Sequence, residues 1–194
     1  MGSFFKKKLK ELGEYNKIAG IDRIARRYFA MNSFDGVLTI LGILLGSFFA
    51  GINDPRIVIA ACLGASIAMG ISGIWGAYLT EHAERQKELH ELERATLTKL
   101  GKTAIGRAGR IATLIVAFID GLSPFLAAMF VISPFLLGVS IDRAYIASIA
   151  MSFASLFVLG AFLGRISKEN IFISGLKMLF AGVFVVILSL VLLR

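Results

Sequence analysis

The sequence predicts an all-α, polytopic membrane protein with five transmembrane helices and a cytoplasmic helical extension after the second. Hydrophobic residues make up 57% and charged residues 18% of the 194 residues. In soluble proteins, apolar residues average about 45–50% and charged residues about 25%. The charges are confined to short segments that separate long, nearly uncharged stretches. Five of these stretches hold about 20 residues or more, which is enough helix to cross a hydrocarbon layer about 30 Å thick.

Residues 1–31 are predicted to contain an amphipathic helix, over residues 3–28, ahead of the first span. Apolar residues such as Phe4, Phe5 and Leu9 recur at helical spacing, and lysines and arginines fill much of the rest. A helix of this kind lies in the headgroup layer, with its basic side chains toward anionic lipid. The alternative is a solvated helix docked on the cytoplasmic part of the protein.

Residues 32–79 are predicted to hold the first two spans, over about 33–52 and 57–79. Gly42 and Gly46 form a GxxxG pair in the first span, and such a pair lets another backbone approach closely. The second span is rich in glycine and alanine, which is typical of a packed helix interface in membranes.

Residues 80–110 are predicted to continue the second helix into the cytoplasm. They are rich in strong helix formers and in charges, and they contain no proline and no glycine before Gly101. Gly101, Gly106 and Gly109 mark the expected position where the helix ends and the chain turns back toward the membrane.

Residues 111–194 are predicted to hold the last three spans, over about 111–138, 144–164 and 171–193. The third span is expected to be interrupted by an Asp-Gly pair at 120–121 and by two prolines, each of which removes a backbone donor and should kink or unwind the helix. The fourth span carries a second GxxxG pair. The two prolines of the third span are Pro124 and Pro134, and the GxxxG pair of the fourth span is Gly160 and Gly164.

The basic residues predict a cell-membrane protein with a cytoplasmic N-terminus and an external C-terminus. Eight lysines and arginines lie in residues 1–31, seven in 80–110 and two in the loop at 165–170. Cytoplasmic loops carry such an excess of basic residues. The net charge of +8 is therefore assigned to membrane orientation and not to a nucleic-acid partner. The basic residues expected outside are Arg56, Arg143 and Arg194.

Asp35 is the sharpest candidate for chemistry, because it lies eight residues after Arg27 and inside the first apolar run. A charge near hydrocarbon costs roughly 2.5–3.5 kcal/mol, so we expect this carboxylate to face the interior of the bundle. It can bind a divalent cation with oxygens from Asn32, Ser33 or Thr39, or exchange a proton for the ion. The alternative is a first-turn residue that is favoured by the helix dipole.

Asp120 and Lys177 are charged residues within the third and fifth apolar runs, at similar depth from the cytoplasmic side. A structural ion pair between them would account for both charges, and this is the arrangement that we favour. The alternative is an ion or proton-coupling site at Asp120. The Asp-Gly pair at 120–121 also echoes the pair at 35–36, either as the trace of an internal repeat or by chance.

Four glutamates, spaced by three, four and three residues, share one face of the predicted extension. Such a stripe of carboxylates can collect divalent cations, especially where two copies face each other in a dimer. The alternative is a solvated face on which nearby arginines and lysines are helix-surface partners. The members of this glutamate stripe are Glu81, Glu84, Glu88 and Glu91.

The chemistry of an enzyme is not visible in the sequence. The chain has no phosphate-binding glycine loop, no set of zinc-binding cysteines and no nucleophile elbow. We therefore expect a protein that is not an enzyme and has no cofactor. Its single cysteine, Cys62, lies in an apolar run and is expected to be a small buried hydrophobe.

Two short stretches carry a family resemblance. Residues 35–39 (Asp-Gly-Val-Leu-Thr) and residues 71–84 (Ile-Ser-Gly-Ile-Trp-Gly-Ala-Tyr-Leu-Thr-Glu-His-Ala-Glu) resemble parts of the first and second helices of the vacuolar iron transporter family. In that family the second helix ends with the pattern Ser-Met-Gly-x-Gly-Glu-Tyr-Leu-Ser-x-x-x-Glu. The five spans, the long extension and the proline-bearing third span also fit the family's layout.

The resemblance implies a homodimer with a metal path between the subunits, lined by the first and second helices, and exchange of divalent metal for protons. Asp35 matches the family's membrane carboxylate, and the glutamate stripe matches its cytoplasmic acid cluster loosely. The chain departs from the family at Gly73, Ala77 and Ala65, where the family has Met, Glu and a further Glu of the second helix.

We therefore expect a transporter that exports a divalent transition metal, iron or manganese, from the cytoplasm by proton antiport. In this interpretation Asp35 binds or relays the ion, and the glutamate stripe gathers it. Asp120 and Lys177 either hold the bundle together or couple protons. The alternative is a non-transporting membrane scaffold, or a carrier of another solute.

Overall fold

The fold is described by a computed structural model for residues 2–193. The side chains of residues 2–5 and 7–9 lie outside the described part, and with them the predicted apolar and basic positions Phe4, Phe5, Lys7, Lys8 and Leu9; Arg194 also lies outside it. Within residues 2–193 the secondary structure consists of six helices and contains no strand. The helices are α1 (Gly2–Ala19), α2 (Ile21–Phe49), α3 (Pro55–Thr96), α4 (Ala104–Leu136), α5 (Ile141–Ser167) and α6 (Ile171–Leu192).

Helices α2 to α6 are long and apolar enough to cross a membrane. This confirms the predicted all-α class with five spans. The chain divides into two compact units. Unit 1 holds the residues up to Phe29 together with Ser72–Gly121, and unit 2 holds Ala30–Ile71 together with the residues from Leu122 onward.

The first helix break lies earlier than the sequence pattern predicted. Helix α1 ends at Ala19, Gly20 has a φ of +61°, and α2 begins at Ile21. A left-handed φ favours glycine and stops a helix. The prediction of one amphipathic helix over residues 3–28 is therefore wrong, because residues 21–28 belong to the helix of the first span.

Helix α3 confirms that the second helix continues beyond residue 79, as far as Thr96, and the cytoplasmic location of this extension stays a prediction. Its 42 residues make a helix about 63 Å long at 1.5 Å per residue, whereas the hydrocarbon layer is about 30 Å thick. The chain reverses between residues 97 and 103, where Leu97 has a φ of 51°. Of the three glycines expected at this reversal, Gly101 lies in the loop, whereas Gly106 and Gly109 lie inside α4.

Helix α4 runs without a break through both of its prolines, Pro124 and Pro134, so the predicted unwinding is wrong, and the alternative of a kink stays a prediction. Membrane helices tolerate proline where neighbouring helices and local adjustments satisfy the freed backbone groups. In unit 2, α2 packs tightly on this proline region. A Cβ atom built on Gly36 would lie 2.8 Å from both the Cα and the carbonyl oxygen of Pro124.

The GxxxG pair of α5 confirms its predicted role as a close helix contact. A Cβ on Gly160 would collide with the Ser174 carbonyl oxygen and lie 2.8 Å from the Gly175 Cα. A Cβ on Gly164 would lie 2.7 Å from the Ser174 Oγ. From the other side, Gly175 receives the ring of Phe157. Small residues therefore bring the α5 and α6 backbones together, as they do in other membrane bundles.

The core of unit 2 is formed where α2, α3, α4 and α5 meet, and Cys62 is fully buried in it, as predicted. At one end of this core the Tyr145 hydroxyl donates a hydrogen bond of 3.0 Å to the Ile52 carbonyl. The Tyr145 ring also packs edge-on against Phe48 and Phe135. The tyrosine thus fixes the turn between α2 and α3 to the start of α5.

Candidate functional site

Glu81, the first member of the glutamate stripe, is enclosed by two neighbours in unit 1. The Tyr28 hydroxyl donates a hydrogen bond of 3.1 Å to its Oε1, and the Arg85 Nε lies 3.7 Å from its Oε2. The Glu81 side chain is only 11% exposed. Glu81 is therefore hydrogen-bonded to Tyr28 and ion-paired with Arg85 within the single chain.

The other stripe glutamates are exposed to solvent. Glu88 forms an ion pair of 3.0 Å with Arg85 and is half exposed, and Glu84 and Glu91 are also exposed. In the part of the chain that the structure describes, no group of three or more His, Cys, Asp or Glu side chains is placed to hold a metal. The stripe thus lies on one face, as predicted, and its role in metal binding stays a prediction.

Arg85 is the residue whose importance the sequence pattern did not reveal. Besides its two glutamate partners, it donates a hydrogen bond of 3.1 Å from Nη2 to the carbonyl of Ala19, the last residue of α1. A cation at this position also compensates the negative end of the α1 dipole. Arg85 therefore ties α1 to the extension of α3. Ala19 and Arg85 are 66 residues apart in the sequence, so local spacing gives no signal for this contact.

Asp35 lies on the outer surface of α2 in unit 2. Its side chain is exposed, so the expectation that it faces the interior of the bundle is wrong for the single chain. Among the described residues, none forms a hydrogen bond or ion pair with its carboxylate. Thr39 and Gly42, four and seven residues later, share this face. Thr39 is exposed, and among the described residues a Cβ built on Gly42 would meet nothing within 4 Å apart from its own stretch of α2.

Asp120 is buried in unit 1, with a relative exposure of 5%. It packs against Gly73 of α3, where an added Cβ would lie 2.9 Å from the Asp120 Oδ2 and 3.0 Å from the Gly121 Cα. A larger residue at Gly73 would displace the Asp120 side chain or the Gly121 backbone.

Lys177 lies in unit 2, near the start of α6. Its Nζ is 3.5 Å from the Glu169 carboxylate, and both side chains are more than half exposed. Asn170 caps the same helix end by accepting hydrogen bonds from the backbone of Phe172 and Ile173. The predicted pairing of Lys177 with Asp120 would join two different units, and it stays a prediction.

Comparison with known proteins finds no protein-family model that matches the chain. The chain is 37% identical over 114 residues to an uncharacterized protein of the archaeon Methanocaldococcus jannaschii. The aligned region comprises 57% of this chain and 59% of that relative. The chain is thus similar to an archaeal protein over little more than half the length of each.

Proposed function

We propose that this protein is a homodimeric membrane transporter that exports a divalent transition metal, iron or manganese, from the cytoplasm by proton antiport. The observation that carries the proposal is the exposed carboxylate of Asp35 on a helix long and apolar enough to span the bilayer. The resemblance to the vacuolar iron transporter family, at Asp35 and at the exit of the second helix, supports the same function.

The exposed position of Asp35 supports a dimer. An ionised carboxylate against lipid costs roughly 2.5–3.5 kcal/mol on insertion scales, and the cost falls when a second protein surface and an ion cover it. Thr39 offers a hydroxyl oxygen on the same face, and Gly42 leaves space for a neighbouring backbone. Two copies of this face would supply paired carboxylates and hydroxyls, which are hard oxygen ligands suited to manganous and ferrous ions.

The glutamate stripe would gather the metal before it reaches Asp35. Glu84, Glu88 and Glu91 are exposed and lie on a helix that extends beyond the membrane on the side with most of the basic residues. Glu81 would join them only when its ion pair with Arg85 opens. Asp120, buried in the helix of the third span, and Lys177 would hold the bundle together or couple protons.

A metal-flux experiment tests the function. The purified protein is reconstituted in liposomes that contain a metal-sensitive dye, with an acidic interior and a neutral exterior. We expect manganous or ferrous ion to enter faster than in protein-free liposomes, and the interior to become less acidic as metal enters. Absence of metal entry under these conditions would contradict the transport function. Entry without proton movement would contradict antiport alone.

The second candidate function is a membrane scaffold that transports nothing, or a carrier of another solute. It is favoured by the absence of a three-ligand cluster among the described residues and by Gly73 and Ala77, where the family pattern has Met and Glu. The flux experiment separates the metal transporter from both alternatives. A scaffold and a carrier of another solute would each let no more metal enter than protein-free liposomes do.

Gly42→Leu tests the proposed dimer. Among the described residues of the single chain it has open space around it, so leucine should not prevent the single chain from folding. If α2 packs against a second copy through this face, the larger side chain separates the backbones and weakens the dimer. We expect mass measurement in detergent to show a shift from dimer to monomer. Ala154→Leu, at an exposed position of α5, is the matched control and should remain dimeric.

A further inference from the structure

Helix α1 is fixed to unit 1 through its last turn. The Arg85 guanidinium donates a hydrogen bond of 3.1 Å to the Ala19 carbonyl. At the break after α1, the Asn16 side chain accepts a hydrogen bond of 2.8 Å from the backbone N–H of Asp22. These two bonds tie the end of α1 to the extension of α3 and to the start of α2, so the fold sets the direction of α1.

The earlier turns of α1 are exposed. Every residue between positions 10 and 14 is exposed, including the apolar Leu12, and the side chain of Lys6 is exposed as well. The described part of the chain therefore offers these turns no cover. So short a stretch of helix is marginal in water unless another surface packs against it. A surface outside the single chain would stabilise it.

Helix α1 carries a net positive charge. Residues 6–17 contain five lysines and two glutamates. Lys6, Lys10 and Lys17 are exposed, and their spacings of four and seven residues place them on one side of the helix, which we call the lysine face. The first two turns of α2 add three exposed arginines, one of them paired with Asp22. Clusters of about four to eight lysines and arginines beside a membrane span are typical of binding to anionic lipid.

The length of α2 places the start of α1 beside the bilayer surface. Helix α2 has 29 residues, which make about 44 Å of helix at 1.5 Å per residue. A bilayer measures about 40–45 Å when its headgroups are included. Gly20 alone separates α1 from α2. The end of α1 therefore lies at the level of the lipid headgroups.

We propose that the lysine face of α1 binds the anionic headgroups of the membrane that α2 crosses. The ammonium groups contact lipid phosphates and carboxylates, and α1 lies along the membrane surface. Each basic residue near such a surface strengthens binding about fivefold. This contact keeps the exposed turns of α1 helical. The proposal does not depend on metal transport.

Hydrogen exchange of the full-length protein in nanodiscs, measured by mass spectrometry, tests the proposal. Nanodiscs of phosphatidylcholine are compared with nanodiscs that also contain phosphatidylserine. We expect the backbone amides of residues 6–14 to exchange at least about fivefold more slowly when phosphatidylserine is present. In 1 M salt this difference should shrink, because the Debye length falls to about 3 Å.

Two triple variants complete the test. The first removes the lysine face and should abolish the difference between the two lipids; it combines Lys6→Gln, Lys10→Gln and Lys17→Gln. The matched control removes three exposed basic residues from the extension of α3 and the loop after it, and should keep the difference; it combines Lys87→Gln, Arg94→Gln and Lys99→Gln.

Three results would overturn the proposal. Fast exchange in both lipids would show that α1 is not held at the membrane. Slow exchange in both would show that something other than anionic lipid, such as a second copy of the chain, covers it. Loss of the difference in both triple variants would show a general effect of charge and no binding by the lysine face.

Discussion

Asp35→Asn is expected to reduce metal flux at least about tenfold while leaving the fold intact. Asparagine has nearly the size of aspartate and keeps one acceptor oxygen, but it has no negative charge and cannot take up or release a proton as a carboxylate does. Removing a residue that only supports a metal ligand lowers metal affinity or activity about 10–100-fold. Removing a ligand itself should lower the flux by at least as much. The measurement is the initial rate of manganous-ion entry into proteoliposomes with matched protein content.

The stability of this variant should move in the opposite direction to its activity. Replacing an ionised side chain by a neutral one removes part of the roughly 2.5–3.5 kcal/mol that a charge costs near hydrocarbon. The thermal midpoint of Asp35→Asn should therefore equal or exceed that of the wild type. A variant with lower flux and unchanged or higher stability has lost a functional group and not its fold.

Asp142→Asn provides the matched control. Like Asp35, Asp142 is exposed, but it lies in the first turn of α5, whereas Asp35 lies in the middle of α2. Its replacement loses only a favourable helix-dipole interaction of about 0.3–1 kcal/mol, and its flux should match that of the wild type. Equal flux in Asp35→Asn and Asp142→Asn would exclude a transport role for Asp35.

The sequence was sufficient to predict the five spans and the extension, because both depend on local properties. A run of apolar residues long enough for the bilayer forms a helix there, since every backbone group must be satisfied internally. The continuation of α3 beyond the membrane followed equally from helix formers without a breaker. The break at Gly20 had a local signal too, but its neighbours on both sides share one amphipathic pattern, which concealed it.

The placement of the candidate site was less predictable. Apolar residues surround a membrane helix on all sides, so the pattern around Asp35 does not tell which face meets neighbouring helices and which meets lipid. The glutamate stripe was visible from its spacing, but the contacts of Glu81 with Tyr28 and of Arg85 with Ala19 join residues more than 50 positions apart. Such contacts depend on how helices pack, and local spacing does not encode them.

The second large effect is expected at Gly160, where Gly160→Ala should destabilise the protein by about 2–3 kcal/mol. The added methyl group would collide with the Ser174 carbonyl and the Gly175 backbone, and both are rigid parts of α6. Overpacking of this kind costs about 1–3 kcal/mol, and at a backbone contact no side chain can turn away to relieve it. For a chain of this length each kcal/mol corresponds to about 2–4 °C in the unfolding midpoint.

The sign of this effect makes the experiment decisive. Glycine is about 1 kcal/mol less favourable than alanine inside a helix. A Gly→Ala substitution should therefore stabilise the protein where no neighbouring element packs against the glycine. Gly64→Ala is that control, because a Cβ built on Gly64 would meet nothing within 4 Å in the described part of the chain, apart from its own stretch of α3. We expect the unfolding midpoint to fall for Gly160→Ala and to hold or rise for Gly64→Ala. A rise in both variants would mean that α5 and α6 do not pack through Gly160, and that the contact assigned to this GxxxG pair is wrong.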